Sequence, residues 1–191
     1  MSRPPIVLAS ASPRRHELLR QLRIDFTVAI PDIEEAPLPA EAPMPYVRRL
    51  AVEKAHAISA SLDSLVIAAD TTVDLGGDIL GKPRDDDDAR SMLRRLSGRT
   101  HRVHTGIALR LGDRTVAETV SSLVTFSSLT DEMIAWYVGI GEPTGKAGAY
   151  AVQGAGGMFV ERVRGSVSNI IGLPLHTLLR LSSDLGVPLV G

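Results

Sequence analysis

Three short segments hold the residues best suited to chemistry. Ser10-Ala11-Ser12-Pro13-Arg14-Arg15 puts two hydroxyls and two guanidinium groups at the start of a helix. Basic side chains in a first turn oppose the helix dipole, and a bound anion removes that cost. Free backbone N–H groups, hydroxyls and a guanidinium fork together make a phosphate cradle. The same residues also read as an ordinary capped helix with a solvated basic turn. Asp70 closes the apolar run Leu65-Val66-Ile67-Ala68-Ala69. A carboxylate at the carboxyl end of a buried strand lies where α/β sheets take ligands. It suits a general base or a metal ligand there, or it caps the next turn. Gly81-Lys82-Pro83 lacks the spaced glycines and following hydroxyl of a Walker A loop. Its lysine is either aimed by the turn or a plain surface residue.

Glu34, Glu35 and Lys54 form a looser set. A carboxylate on a Pro-rich loop can reach over a site and hold Mg²⁺, which takes few protein oxygens beside substrate phosphates. Lys54, in a helix lined by Ala and Leu, either snorkels to solvent or points at an anion. Two other features invite a metal and are set aside. Asp85 to Asp88 open a helix, where capping and the dipole explain acids. His101 and His104 are three apart on a strand, so they face opposite sides and cannot share one ion.

The elements that must position these groups follow from hydrophobic periodicity. Pro5 to Ala9 and Leu65 to Ala69 read as buried strands, the second ending on Asp70, and Phe26 to Ile30 as a further strand. Ser12 and Pro13 start a helix whose apolar face is Leu18, Leu19 and Leu22. Pro31 to Pro45 reads as a mobile loop before a helix running from Tyr46 to Ile58. Thr72 to Leu75 and Ile79-Leu80, joined by Gly76-Gly77, suggest a hairpin. A helix over Asp85 to Leu96 precedes two long antiparallel strands, His101 to Leu111 and Thr115 to Phe126. Thr130 caps a helix through Tyr137. A glycine-rich stretch from Gly139 to Gly157 leads to a strand at Met158 to Arg164 and a last helix from Pro174 to Leu185. Irregular alternation of strands and helices predicts α/β architecture with a mixed, partly antiparallel twisted sheet and flanking helices.

Composition narrows the function classes. With 44% apolar and 23% charged residues in 191, a folded globular protein is expected. A net charge of −1 and 4% aromatic residues argue against a nucleic-acid partner. The absence of cysteine removes disulfides, thiolate zinc sites and a Cys nucleophile. No secretory signal or membrane-length apolar run is visible, so a cytoplasmic location is expected.

Together the segments resemble the Maf family of nucleotide pyrophosphatases. Ser10 through Leu19 is similar to its N-terminal signature, and Ala69-Asp70-Thr71 with Ile79-Leu80-Gly81-Lys82-Pro83 to its central one. Met92 to His101, Thr105-Gly106, Gly141-Glu142-Pro143, Lys146 to Tyr150, Gln153-Gly154 and Asn169 to Pro174 continue the likeness in order. The resemblance implies one Maf-like domain over 1–191, with two lobes around a deep cleft as in ITPase-like folds. It implies a divalent metal, Mg²⁺ or Mn²⁺, and often a homodimer. The implied reaction is hydrolysis of a nucleoside triphosphate between the α and β phosphates. Asp70 matches the proton acceptor. Arg14, Thr71 and Gln153 match positions associated with substrate choice. Glu35, Lys54 and Lys82 match positions around the phosphates and metal, with Ser10 in the cradle and Asp70 beside Glu35 on the metal. Lys146 to Tyr150 with Gln153-Gly154 is similar to the branch acting on dTTP and UTP. Alternatives are a pyrophosphatase for another base, such as CTP or 7-methyl-GTP, and a nucleotide-binding regulator of cell division with little catalysis.

Overall fold

The apolar run near the amino terminus forms β1 (Ile6–Ala9), and Pro13 opens α1 (Pro13–Gln21). In this computed structural model, which describes residues 4–190, the chain continues as β2 (Thr27–Ala29), α2 (Pro43–Ala57), β3 (Leu65–Leu75), β4 (Asp78–Leu80) and α3 (Asp86–Leu96). Next come β5 (Thr100–Leu111), β6 (Arg114–Phe126) and α4 (Asp131–Gly139). Two 3₁₀ turns, Ala147–Ala149 and Ala155–Phe159, lead to β7 (Val160–Arg164), α5 (Val167–Ile171) and α6 (Leu175–Asp184). The strands form one sheet in the order β2-β1-β3-β5-β6-β7, with β4 paired to β3. β1 runs parallel to β2 and β3, and the other pairs are antiparallel. The expected mixed α/β sheet is therefore present.

Alternation along β3 assigns its faces. Leu65, Ile67 and Ala69 enter a core with α1 and α6. Val73 and Leu75, on the same face, enter a second core with α3 and α4. Val66 and Ala68 point the other way, against Ala51 and Ala55 of α2. Thr71 thus stands where one face passes from the first core to the second.

Asp70 is not the end of its strand, as the sequence suggested; β3 runs on to Leu75. What ends near Asp70 is the pairing along one edge. β1 accompanies β3 only as far as Ala9 opposite Ala68, and β4 joins with Leu80 opposite Val73. Residues 69–72 lie between those partners, while β5 pairs the other edge without a break from Leu65 to Asp74. β1 and β4 both leave the sheet at this gap, so Ser10 to Arg15 and Gly81-Lys82 emerge on either side of Asp70.

Gly106 faces Asp70 across the β3–β5 ladder. A Cβ there would stand 2.1 Å from the Val47 carbonyl oxygen of α2. Only glycine lets that helix lie so close. Gly106→Ala is expected to cost about 3 kcal/mol of stability or more, read by urea denaturation, because α2 must move and carry Lys54 with it.

Other departures have local causes. The Pro-rich loop expected to be mobile is fastened to α2: the Tyr46 hydroxyl donates to the Glu35 carbonyl at 2.8 Å, and Arg49 binds the Glu41 carboxylate and the Ala36 carbonyl. Ser12 takes the N-cap position of α1, but its side chain makes no capping bond. Asp85 does cap α3, accepting from the Asp88 amide. The short α5, unexpected from sequence, starts at Ser166, whose hydroxyl accepts from the Asn169 amide.

His101 and His104 face opposite sides of the sheet, as their spacing required. His104 lies between the Asp74 carboxylate and the Ser121 hydroxyl. His101 packs edge-on against Phe126, 2.9 Å from the Tyr150 hydroxyl. Burial lowers the His101 pKa to about 4. The unfolded chain, with an ordinary value of about 6.5, binds that proton first. Stability is therefore full above that value and falls as pH drops from 6.5 toward 4, by about 3 kcal/mol in all. Thermal melts across this range should slope downward toward acid, and the slope should flatten in His101→Gln.

Candidate active site

The gap in pairing beside β3 opens into a cavity lined by residues from the three chemistry-bearing segments and from the looser set. Ser10, Arg14, Glu35, Lys54, Asp70, Thr71, Lys82 and Gln153 all border it. Lys54 comes from the buried face of α2 and is only 4% exposed. Its ammonium lies 2.6 Å from Asp70 Oδ1 and 2.6 Å from Glu35 Oε1. Lys54 therefore neither snorkels nor waits for an anion; it joins two carboxylates. Asp70 is buried, and among the described residues its other oxygen, Oδ2, has no hydrogen-bond partner.

Glu35 reaches the site because its backbone is held by Tyr46. Its carboxylate also meets Lys82 at 3.4 Å, whereas Glu34 is exposed and makes no described side-chain bond. Burial works to raise the Glu35 pKa, but Lys54 and Lys82 outweigh it and hold the group below its ordinary value. The Lys82 side chain is 64% exposed and overhangs the opening.

The twin arginines divide their work. Arg15, expected only as the second basic residue of the first turn, is buried. It donates to the Gly172 carbonyl at 2.7 Å, the Thr71 hydroxyl at 3.0 Å and the Ser10 hydroxyl at 3.2 Å. Thr71 also meets the Thr105 hydroxyl at 2.9 Å. Arg15 thus fixes the cradle from beneath. The sequence signal was the pairing itself, since adjacent helical residues point about 100° apart and so divide between the open cavity and its floor. Arg14 faces it, and its one described hydrogen bond is a 3.5 Å contact with the Gly145 carbonyl. Burial lowers the Arg14 pKa, and burial together with Arg14's charge lowers that of Lys146. Glu142 opposes the Lys146 shift only in part, so two crowded cations favour an anion at this end. The first-turn amides of α1, which have no intrahelical partner, favour the same.

Gln153 is exposed and makes no side-chain hydrogen bond among the described residues. Its amide is free to read a ligand edge. For a metal, the donor set is two carboxylates, Glu35 and Asp70, gathered around one ammonium. No group of three or more His, Cys, Asp or Glu side chains converges among the described residues. That set fits a hard cation shared with phosphates and water, not a cage made by protein alone. No helix among the described residues is long and apolar enough to cross a membrane.

Comparison with known proteins places the chain in a family. The profile of the "Maf-like protein" family matches residues 5–185. A protein of Myxococcus xanthus named dTTP/UTP pyrophosphatase is 54% identical over 185 residues, covering 96% of this chain and 94% of the relative. A namesake in Anaeromyxobacter dehalogenans is 52% identical over 190 residues, covering 97% and 96%. One in Symbiobacterium thermophilum is 44% identical, covering 96% and 95%. Among solved structures, a nucleoside-triphosphatase / dITP/XTP pyrophosphatase from Mycobacterium abscessus aligns over 95% of this chain and 97% of its own, at 14% identity and a TM-score of 0.46. Matched along nearly its whole length by the family profile and by relatives half identical to it, the chain belongs to the Maf-like protein family.

Proposed function

We propose that this chain hydrolyses nucleoside triphosphates, dTTP and UTP foremost, between the α and β phosphates, giving the monophosphate and pyrophosphate. The observation that carries the reading is the convergence of Asp70, Lys54, Glu35, Lys82 and Arg14 on the gap in β3. The base preference rests on the names of the relatives.

In this reading the triphosphate lies from the first turn of α1 to Lys82. Arg14 and Lys82, each free to turn to an anion, neutralise its charge, and the amides and hydroxyls of the cradle fix its position. Lys54 holds Asp70 through Oδ1 and leaves Oδ2 to take a proton from water. The water oxygen bonds to the α phosphorus, the bridging oxygen to the β phosphorus leaves with its electron pair, and pyrophosphate departs. Glu35 and Asp70 would hold Mg²⁺ or Mn²⁺, which when bound offsets phosphate charge and lowers the pKa of coordinated water. Gln153 both donates and accepts, which matches the adjacent carbonyl and N–H of thymine and uracil. The chain acts as one domain, in the cytoplasm, where nucleotide pools are held.

The test is a panel of dTTP, UTP, CTP and 7-methyl-GTP with Mg²⁺ or Mn²⁺, following pyrophosphate and monophosphate. Fastest release from dTTP and UTP is expected. Orthophosphate and a nucleoside diphosphate as products would place the cut elsewhere, and silence from all four would end the proposal.

A further inference from the structure

The Gln153 side chain makes no described bond, so the positions its amide can reach are set by its backbone. The backbone on both sides of it is tied to one pair of side chains. Glu142, in the turn after α4, accepts from the Ala155 amide at 2.9 Å through Oε2, and from the Gly156 amide at 3.0 Å through Oε1. The same Oε1 accepts the Tyr137 hydroxyl at 2.8 Å. That hydroxyl in turn accepts from the Ala151 amide at 3.2 Å. Tyr137 is fully buried against Phe159. The segment is therefore pinned two residues before Gln153, and again two and three residues after it.

The glycines explain why the carboxylate can reach so far in. A Cβ on Gly154 would lie 2.5 Å from both Glu142 oxygens, and one on Gly156 would lie 2.5 Å from the Tyr137 hydroxyl. Burial presses the Glu142 pKa upward, but the two amides and the tyrosine more than offset it and hold it below the ordinary value. The group is thus a carboxylate at neutral pH, with three donors on its two oxygens. A carboxylate carrying that many donors fixes geometry more firmly than neutral bonds would. An otherwise free amide can discriminate between bases only if the loop does not adapt to the wrong one.

We infer that Glu142, with Tyr137, is a positioning residue for base selection: it holds the 151–156 backbone so that Gln153 presents its amide in one orientation to the pyrimidine edge. This rests on the reading of Gln153 as the base-facing group. The consequence is a division of labour. Discrimination between thymine and cytosine, rings of similar size with reversed donors and acceptors, depends on Glu142, and the phosphate chemistry at Asp70 does not.

The experiment measures kcat and KM for dTTP and dCTP in the parent, Gln153→Ala, Glu142→Gln and Tyr137→Phe, with melting temperatures alongside. Glu142→Gln keeps the shape but sets an NH₂ against donors, so at least one amide loses its acceptor. The ratio of kcat/KM for dTTP over dCTP is expected to fall about tenfold or more in Gln153→Ala and in Glu142→Gln. In Glu142→Gln the fall should come mainly from KM for dTTP, with kcat within about threefold of the parent. Tyr137→Phe should move the ratio the same way, and it decides the question if Glu142→Gln does not fold. A folded Glu142→Gln with only a lower melting temperature and an unchanged ratio, while Gln153→Ala loses discrimination, overturns the inference and leaves the base reading standing. An unchanged ratio in Gln153→Ala overturns the base reading, and the inference with it.

Discussion

Asp70→Asn is expected to lower kcat for dTTP hydrolysis by about 10³-fold, within the range a positioned general base supplies, while nucleotide still binds. The asparagine keeps an oxygen for Lys54 at the position of Oδ1, so the 2.6 Å contact has a neutral successor. What is lost is the carboxylate charge and the acceptor at Oδ2, the oxygen not engaged by Lys54, which in this reading takes the proton and would also face the metal. Removing a negative charge beside a triphosphate relieves repulsion, so the dissociation constant measured without divalent metal should hold or tighten. Single-turnover kinetics with a binding titration separates the two effects. A variant that still turned over within about tenfold of the parent would take the base role from Asp70.

Lys54→Met is expected to damage both stability and activity. It leaves Asp70 buried without its cation, and a broken buried pair costs about 3 kcal/mol or more. For a chain of this size that lowers the melting temperature by roughly 6–12 °C. The double variant Lys54→Met/Asp70→Asn removes the stranded charge and should recover most of the stability, yet stay inactive. Recovery in the double variant is the decisive measurement, because simple loss of packing from Lys54 would make the two changes add. Glu35, half exposed at the loop, cannot substitute for Asp70 as the buried partner.

The site residues were legible in the sequence to the extent that they lie in short, contiguous patterns. Ser10 to Arg15 and Gly81-Lys82-Pro83 announced themselves because turn chemistry and charge coincide within a few positions. Asp70 was found for a reason that proved incomplete. The drop from an apolar run to a carboxylate marked where the flanking strand stops, not where β3 stops, and no local pattern records the reach of a neighbouring strand. Lys54 was visible only as an oddity among alanines, since its partners are brought to it from separate segments. Arg15 and Glu142 were seen as parts of segments without roles of their own, because most of what each holds is backbone or hydroxyl groups far along the chain. The glycine-rich stretch from Gly139 to Gly157 was visible, but the close approach that Gly154 allows to Glu142 and Gly156 to Tyr137 depends on side chains twelve or more positions away.

The uninterrupted pairing of β3 with β5 beneath the gap has a mechanical consequence. The floor of the cleft rests on one pair of strands, hydrogen-bonded from Leu65 opposite Leu111 to Asp74 opposite Arg102. Proteins that close by hinging do so through a few loose linker torsions. Here a change of width would have to bend a hydrogen-bonded ribbon packed on one side by α2. The base of the opening is therefore stiff, and any accommodation to a substrate's width falls to the turns and loops that line it.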